Sequence, residues 1–208
     1  RPLERMAAMV TRAGEAQGGE ILVAVSNPQT AKSLVSLAAT LARGRLDTGL
    51  VALKIVTVPV HIPLSAAKEY LAGREEVKSD VHLLLQAADH AFPAGLHASS
   101  LLQPAHSVAA GIVAVAHELP KTRLILLGWR GKRSLRRVRT SIDAEVLRTA
   151  RCDVAIYLQQ HDRPIRRILV PMGGGPHARF GLRLAGDLAV GGMGRVTALR
   201  VVQPDGNL

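Results

Sequence analysis

From residue 20 the chain reads EILVAVSNPQTAKSLVSLAATLARG: a short run of aliphatic positions, a polar turn cluster, then apolar residues recurring every three or four positions up to Gly44. That order predicts a strand, a loop and a helix. Residues 51–58 (VALKIVTV) are a second apolar run closed by Pro59, and residues 65–92 carry helical periodicity with Gly73 as the weak point. Residues 96–103 predict a third strand, poor in strand-forming composition. Residues 107–119 predict an amphipathic helix stopped by Pro120. The run RLILL at 123–127 is a fourth strand leading straight into Gly128, residues 142–149 begin another helix, and residues 154–158 are a fifth strand. Nearly all-apolar strands alternating with helices predict an α/β fold, a doubly wound five-stranded parallel sheet with helices on both faces. Such sheets bind ligands beyond the carboxyl ends of their strands, where the strand order reverses, which directs attention to the loops after the first and fourth strands.

The pattern also repeats. Shifted by 147 residues, Ile168, Leu169 and Val170 fall on Ile21, Leu22 and Val23, and Ala178, Leu184, Ala185, Leu188, Ala189 and Gly191 fall on Ala31, Leu37, Ala38, Leu41, Ala42 and Gly44. After a one-residue slip Ala198 and Leu199 fall on Ala52 and Leu53. Two unrelated strand-helix-strand units rich in Ala, Leu and Val would share part of this likeness; the other reading is a second copy that stops after its second strand. The expected organisation is a linker at 1–19, a first copy at 20–158, a polar, proline-bearing linker at 159–167 (QQHDRPIRR) and the start of a second copy at 168–208. A lone unit of roughly forty residues buries too little surface to fold by itself. It is therefore expected to pack on the first copy or on a partner chain.

Composition narrows the setting. Hydrophobic residues make up 48% of the chain and aromatics only 2%, so the core must be aliphatic. The longest apolar stretches, at 34–42 and 108–116, run about nine residues against the roughly twenty a membrane span needs. The absence of an initiator Met and of a signal-peptide pattern predicts an excised fragment, and the single Cys152 fits a reducing compartment, so the cytoplasm is expected. The net charge is +11, and Arg130, Lys132, Arg133, Arg136, Arg137 and Arg139 supply more than half of it within one stretch free of acidic residues. Such a charge attracts nucleotide phosphates, phospholipid headgroups or nucleic acid.

The ILVAV strand ending in a polar turn, the Gly128-Trp129-Arg130-Gly131 segment after the fourth strand, and the closing VLRTARCDVAIYL resemble the universal stress proteins. Those proteins carry a nucleotide motif of the form Gly-x-x-Gly, about nine residues, then Gly-Ser or Gly-Thr. The phrases VAVSNPQTA, LILLGWRGKRS, CDVAIYL and ILVPMGGGPHA are similar, more narrowly, to the tandem stress-protein regions on the C-terminal side of bacterial amino acid permeases and cation antiporters; a free-standing tandem protein would look similar. The resemblance implies a site for ATP or another adenine nucleotide. Its candidate residues are Ser26, Asn27, Val56, Gly128, Arg130, Gly131, Ser141 and Ile142, the nucleotide lying between the Asn27 and Gly131 loops with Gly128, Gly131 and Ser141 at the phosphates. It also implies a homodimer and a membrane-embedded transporter portion of the same polypeptide. Two departures stand out: Ser26 occupies the place where the family's nucleotide binders usually have Asp, and Thr140 replaces the second-half glycine.

In the loop itself, glycines let backbone N–H groups approach phosphate oxygens, Ser141 adds a hydroxyl at a helix start, and Arg130 and Lys132 neutralise charge. The alternative is a plain turn after a buried strand followed by a solvated basic face. Gly173, Gly174 and Gly175 offer a second cradle or merely a tight turn; they lack the spacing of a P-loop or dinucleotide motif. The eight histidines are scattered singly, which argues against a metal site. Cys152 reads as a small hydrophobe, and Asp143 and Glu145 as the first turn of a helix. No nucleophile, base and orienter occur together, so no enzyme is expected. Three functions remain: a nucleotide-sensing regulatory module, a docking and dimerisation module near an anionic lipid surface, and nucleic-acid binding through RGKRSLRRVR. Only Trp129 is near that stretch to stack on bases, which disfavours nucleic acid.

Overall fold

Residues 18–72, 74–91, 96–129, 142–160 and 163–201 are described by a computed structural model. Five parallel strands, β1 (Gly19–Ala24), β2 (Thr48–Thr57), β3 (Ala98–Ala105), β4 (Thr122–Gly128) and β5 (Asp153–Tyr157), form one sheet in the order β3-β2-β1-β4-β5. Each lies within a few residues of its predicted position. Four longer helices cover this sheet: α1 (Pro28–Gly44), α3 (Glu75–Ala91), α4 (Val108–Glu118) and α5 (Ile142–Thr149).

Alternate strand residues feed two cores, because successive side chains point to opposite faces. Ile21, Val23, Leu50, Ala52, Leu124 and Leu126 pack with α1 and α3 through Leu34, Val35, Ala38, Leu83 and Leu84. Leu22, Val51, Leu53, Ile125 and Leu127 pack on the other face with Ile112 and Val115 of α4 and Val146 of α5. Burying each Leu or Ile contributes about 1.5–3 kcal/mol, and the near absence of rings leaves that work to aliphatic side chains. The Ser107 side chain caps α4, accepting a hydrogen bond from the Ala110 N–H at 3.1 Å.

The long helix expected over 65–92 is broken. A single 3-10 turn (Leu64–Ala66) and the short α2 (Ala67–Leu71) end at Ala72, whose extended backbone cannot continue a helix, and α3 starts afresh at Glu75. The break lets Ala67 and Leu71 fold back on Val58, a small cluster beyond the end of β2 that a continuous helix could not form.

Beyond β5, the strands β6 (Arg167–Pro171) and β7 (Arg195–Leu199) flank α6 (Gly175–Gly192) and pair in parallel. Register carries the repeat into space. Val23 pairs with Ala52, and their sequence equivalents Val170 and Ala198 pair with each other; so do Ala24 with Leu53 and Pro171 with Leu199. This partial second copy packs on the first, as its small size requires. Phe180, Leu184 and Leu188 of α6 join the core on the α1 side of the sheet. The two helices touch backbone to backbone: a Cβ added at Gly191 would lie 1.9 Å from the Thr40 carbonyl oxygen, and one at Gly44 would lie 1.8 Å from that of Asp187. Only glycine at both positions permits so close a crossing.

Candidate functional site

Strand order reverses between β1 and β4. The chain leaves β1 through α1 to reach β2 on one side, and returns from β3 through α4, on the opposite face, to reach β4 on the other. The loops after β1 and β4 therefore part, opening a crevice at their carboxyl ends. Ala24 pairs with Leu127, which sets Gly128 level with Val25 and brings Ser26 and Asn27 just beyond it. Ala24 also pairs with Leu53, so Val56 is level with Asn27 one strand away. The structure thus brings Ser26, Asn27, Val56 and Gly128 to neighbouring strand ends.

Ser26, Asn27 and Pro28 are exposed. The Asn27 carbonyl accepts hydrogen bonds from the N–H groups of Thr30 at 3.2 Å and Ala31 at 2.9 Å, starting α1 with Pro28 as its first residue. No acidic residue lies in that first turn, so the positive end of the helix dipole faces the crevice unopposed by its own side chains. Val56 is partly buried between the α1-side core and the Val58 cluster, which walls the β2 side of the crevice. Sequence reasoning found the weak point at Gly73 but not this wall, because apolar periodicity continued on both sides of it.

Gly128 closes β4, and the next residue is tied to β5 through the Trp129 N–H and the Tyr157 carbonyl at 2.8 Å. Its backbone is not among the positive-φ glycines, and among the described residues a Cβ there would meet nothing closer than Leu34 Cδ2 at 3.7 Å, an ordinary contact. Neither backbone conformation nor packing demands glycine at this strand end. Ile142 begins α5 and packs, half-buried, against the α4-side core. Arg130, Gly131 and Ser141, with the rest of the basic run and Thr140, lie outside the described residues.

The other candidates resolve differently. Gly174 and Gly175 have φ of 87° and 78°, left-handed values that favour glycine, so the tight turn into α6 accounts for them. Asp143 and Glu145 sit in the first turn of α5. The Cys152 thiol is held above its ordinary pKa chiefly by burial, with the Asp153 charge adding to the rise and a backbone hydrogen bond opposing it. A protonated, half-buried thiol is a poor nucleophile. Among the described residues no cluster of His, Cys, Asp and Glu could hold a metal, and no helix is long and apolar enough to cross a membrane.

Residues 19–157 match the universal stress protein family. The chain belongs to that family. Universal stress protein domains are characteristically regulatory modules rather than catalysts. Among solved structures, a universal stress protein from Archaeoglobus fulgidus is similar at 20% identity, covering 66% of this chain and 97% of its own, with a TM-score of 0.52. Another, from Archaeoglobus fulgidus DSM 4304, is 17% identical and covers 92% of this chain but only 68% of its own, with a TM-score of 0.63. At 92% of this chain, that alignment runs past β5 into the β6–α6–β7 unit. A universal stress protein from Archaeoglobus fulgidus in complex with dAMP is also similar, at 20% identity, 66% of this chain, 96% of its own and a TM-score of 0.48. These likenesses are of fold alone. None of the curated proteins matches the chain.

Proposed function

We propose that this chain is a ligand-sensing regulatory domain that takes ATP or another adenine nucleotide in the crevice between the ends of β1 and β4. The observation that carries the reading is Gly128: a glycine that neither its backbone angles nor its neighbours among the described residues require, at the strand end where a phosphate would approach the backbone. The α1 N-terminus beside it favours an anion. In this reading Ser26 and Asn27 meet the nucleoside beside Val56, and Gly128, Arg130, Gly131, Ser141 and Ile142 serve the phosphates. Serine in place of a carboxylate at position 26 limits affinity to about micromolar at best, near −8 kcal/mol.

The same proposal divides the chain into copies at 20–158 and 168–208 joined by 159–167. It places the domain in the cytoplasm as part of a membrane transporter, supported by the permease-like and antiporter-like phrasing of its strand ends. The domain would work as a homodimer, with the 130–139 basic run against anionic lipid. Each Lys or Arg near such a surface contributes about 1 kcal/mol.

Calorimetry with ATP at physiological salt tests the site. Wild type is expected to bind weakly; Gly128→Ala, which meets only an ordinary contact, should fold unchanged yet bind about tenfold more weakly, and Gly131→Val about thirtyfold. No heat at millimolar ATP, or equal affinity in both variants, would leave the docking-module reading in its place.

A further inference from the structure

A second cavity, about 580 Å³, lies away from the β1/β4 crevice, where the linker crosses between the two copies. Three groups of residues wall it: the outer face of α1; Tyr157, Gln159 and Arg163 to Arg166; and the last turn of α6. Its size is in the range of small-molecule sites. Its chemistry is sorted: Leu37, Ile165 and Leu188 give it an apolar floor, while Lys32, Arg43, Arg163 and Arg166 stand at its rim. No carboxylate lines it among the described residues, and none of those four cations forms an ion pair there. Arg43 is already positioned, its guanidinium donating to the Thr40 hydroxyl at 3.2 Å.

From this we infer a binding site for a phosphate-bearing small molecule with an apolar portion, separate from the nucleotide site and independent of it. Four unpaired cations around one cavity repel one another, and a multiply charged anion relieves that repulsion while its apolar part covers the floor. The carbonyl end of α6 also faces the cavity and opposes an anion by roughly half a charge. It is partly neutralised, because the N–H groups of Met193 and Gly194 already occupy the Val190 and Ala189 carbonyls. Because the walls come from α1, the linker and α6, an occupant bridges the first copy to the second. Binding is thereby coupled to the α6–α1 contact.

The test uses the chain as it stands with two probes: inorganic tripolyphosphate, and a water-soluble short-chain phosphatidic acid. Titration at physiological salt is read by calorimetry and by hydrogen exchange of the α6 amides. A saturable site coupled to α6 protection, distinct from any phosphate binding at the β1/β4 crevice, is expected, weakened tenfold or more by Arg163→Gln/Arg166→Gln and by Ser36→Glu, which sets a carboxylate on the exposed α1 face. Gly128→Ala should leave it unchanged, and occupancy should slow exchange in α6. Tighter binding of tripolyphosphate identifies a free phosphate compound; tighter binding of the acyl probe identifies a lipid headgroup. The inference is overturned if neither probe binds at millimolar concentration. Equal weakening by Arg151→Gln, a cation outside this cavity, would also overturn it, as would binding without added protection of α6.

Discussion

Glycines 191 and 186 lie on the same helix, yet replacing each by alanine should move stability in opposite directions. At Gly191 a Cβ would sit 1.9 Å from the Thr40 carbonyl oxygen and 2.8 Å from the Gly44 nitrogen. Both are backbone atoms of α1 and cannot rotate aside, so the helices must part by more than about 1 Å. Overpacking usually costs 1–3 kcal/mol, and a rigid backbone clash belongs near 3. Alanine returns about 1 kcal/mol through helix propensity. The net loss is about 2 kcal/mol, or roughly thirtyfold faster opening of the β6–α6–β7 unit. At Gly186 nothing lies within 4 Å of the added methyl, so only the propensity gain remains, about 1 kcal/mol and roughly fivefold slower opening. Native-state hydrogen exchange of α6 amides reads both, with amides of β1 and β4 as the internal reference. If Gly191→Ala leaves α6 protection unchanged, or if both variants increase it, α6 does not pack on α1 in this way.

Lys54 on β2 and Asp80 on α3 form an ion pair at 2.8 Å, with side chains only 14% and 21% exposed. Asp80→Ala, which strands the lysine, should cost about 2–3 kcal/mol in urea unfolding, while the double variant Lys54→Met/Asp80→Ala should recover most of it; equal losses would contradict the burial argument. Alkylation of Cys152 by iodoacetamide at pH 8 should be several-fold slower in the folded protein than in urea, because burial and Asp153 disfavour the thiolate. With a raised folded pKa, the stability tied to this thiol is complete below the unfolded value and declines as pH rises through it toward the folded one. Equal alkylation rates in the two states would refute it.

The chain's short-range pattern was enough to place five strands, the α4 and α5 helices and the repeat, because alternation and helical spacing are local properties of side chains on a backbone. It also pointed to Asn27 and Gly128, since a polar turn and a glycine at the ends of apolar strands mark loops wherever the strands come to lie. Which strand ends are neighbours was decided by the sheet order, which set Gly128 level with Val25 and Val56 level with Asn27. Gly73 marked the weak point of the 65–92 pattern, but apolar spacing continues across it, so the end of α2 at Ala72 and the packing of Ala67 and Leu71 on Val58 are seen only in the structure. Gly44 and Gly191 were matched in the sequence as equivalents of the repeat; in space they are also near one another, with a Cβ at Gly191 only 2.8 Å from the Gly44 nitrogen. Equivalence is a one-dimensional property, whereas contact depends on which helix face the first copy leaves uncovered. The same limit applies to charge. The run at 130–139 stands out because its cations are close in sequence, but Lys32, Arg43, Arg163 and Arg166 line one cavity only once α1, residues 163–166 and the end of α6 come together, and no local pattern records that.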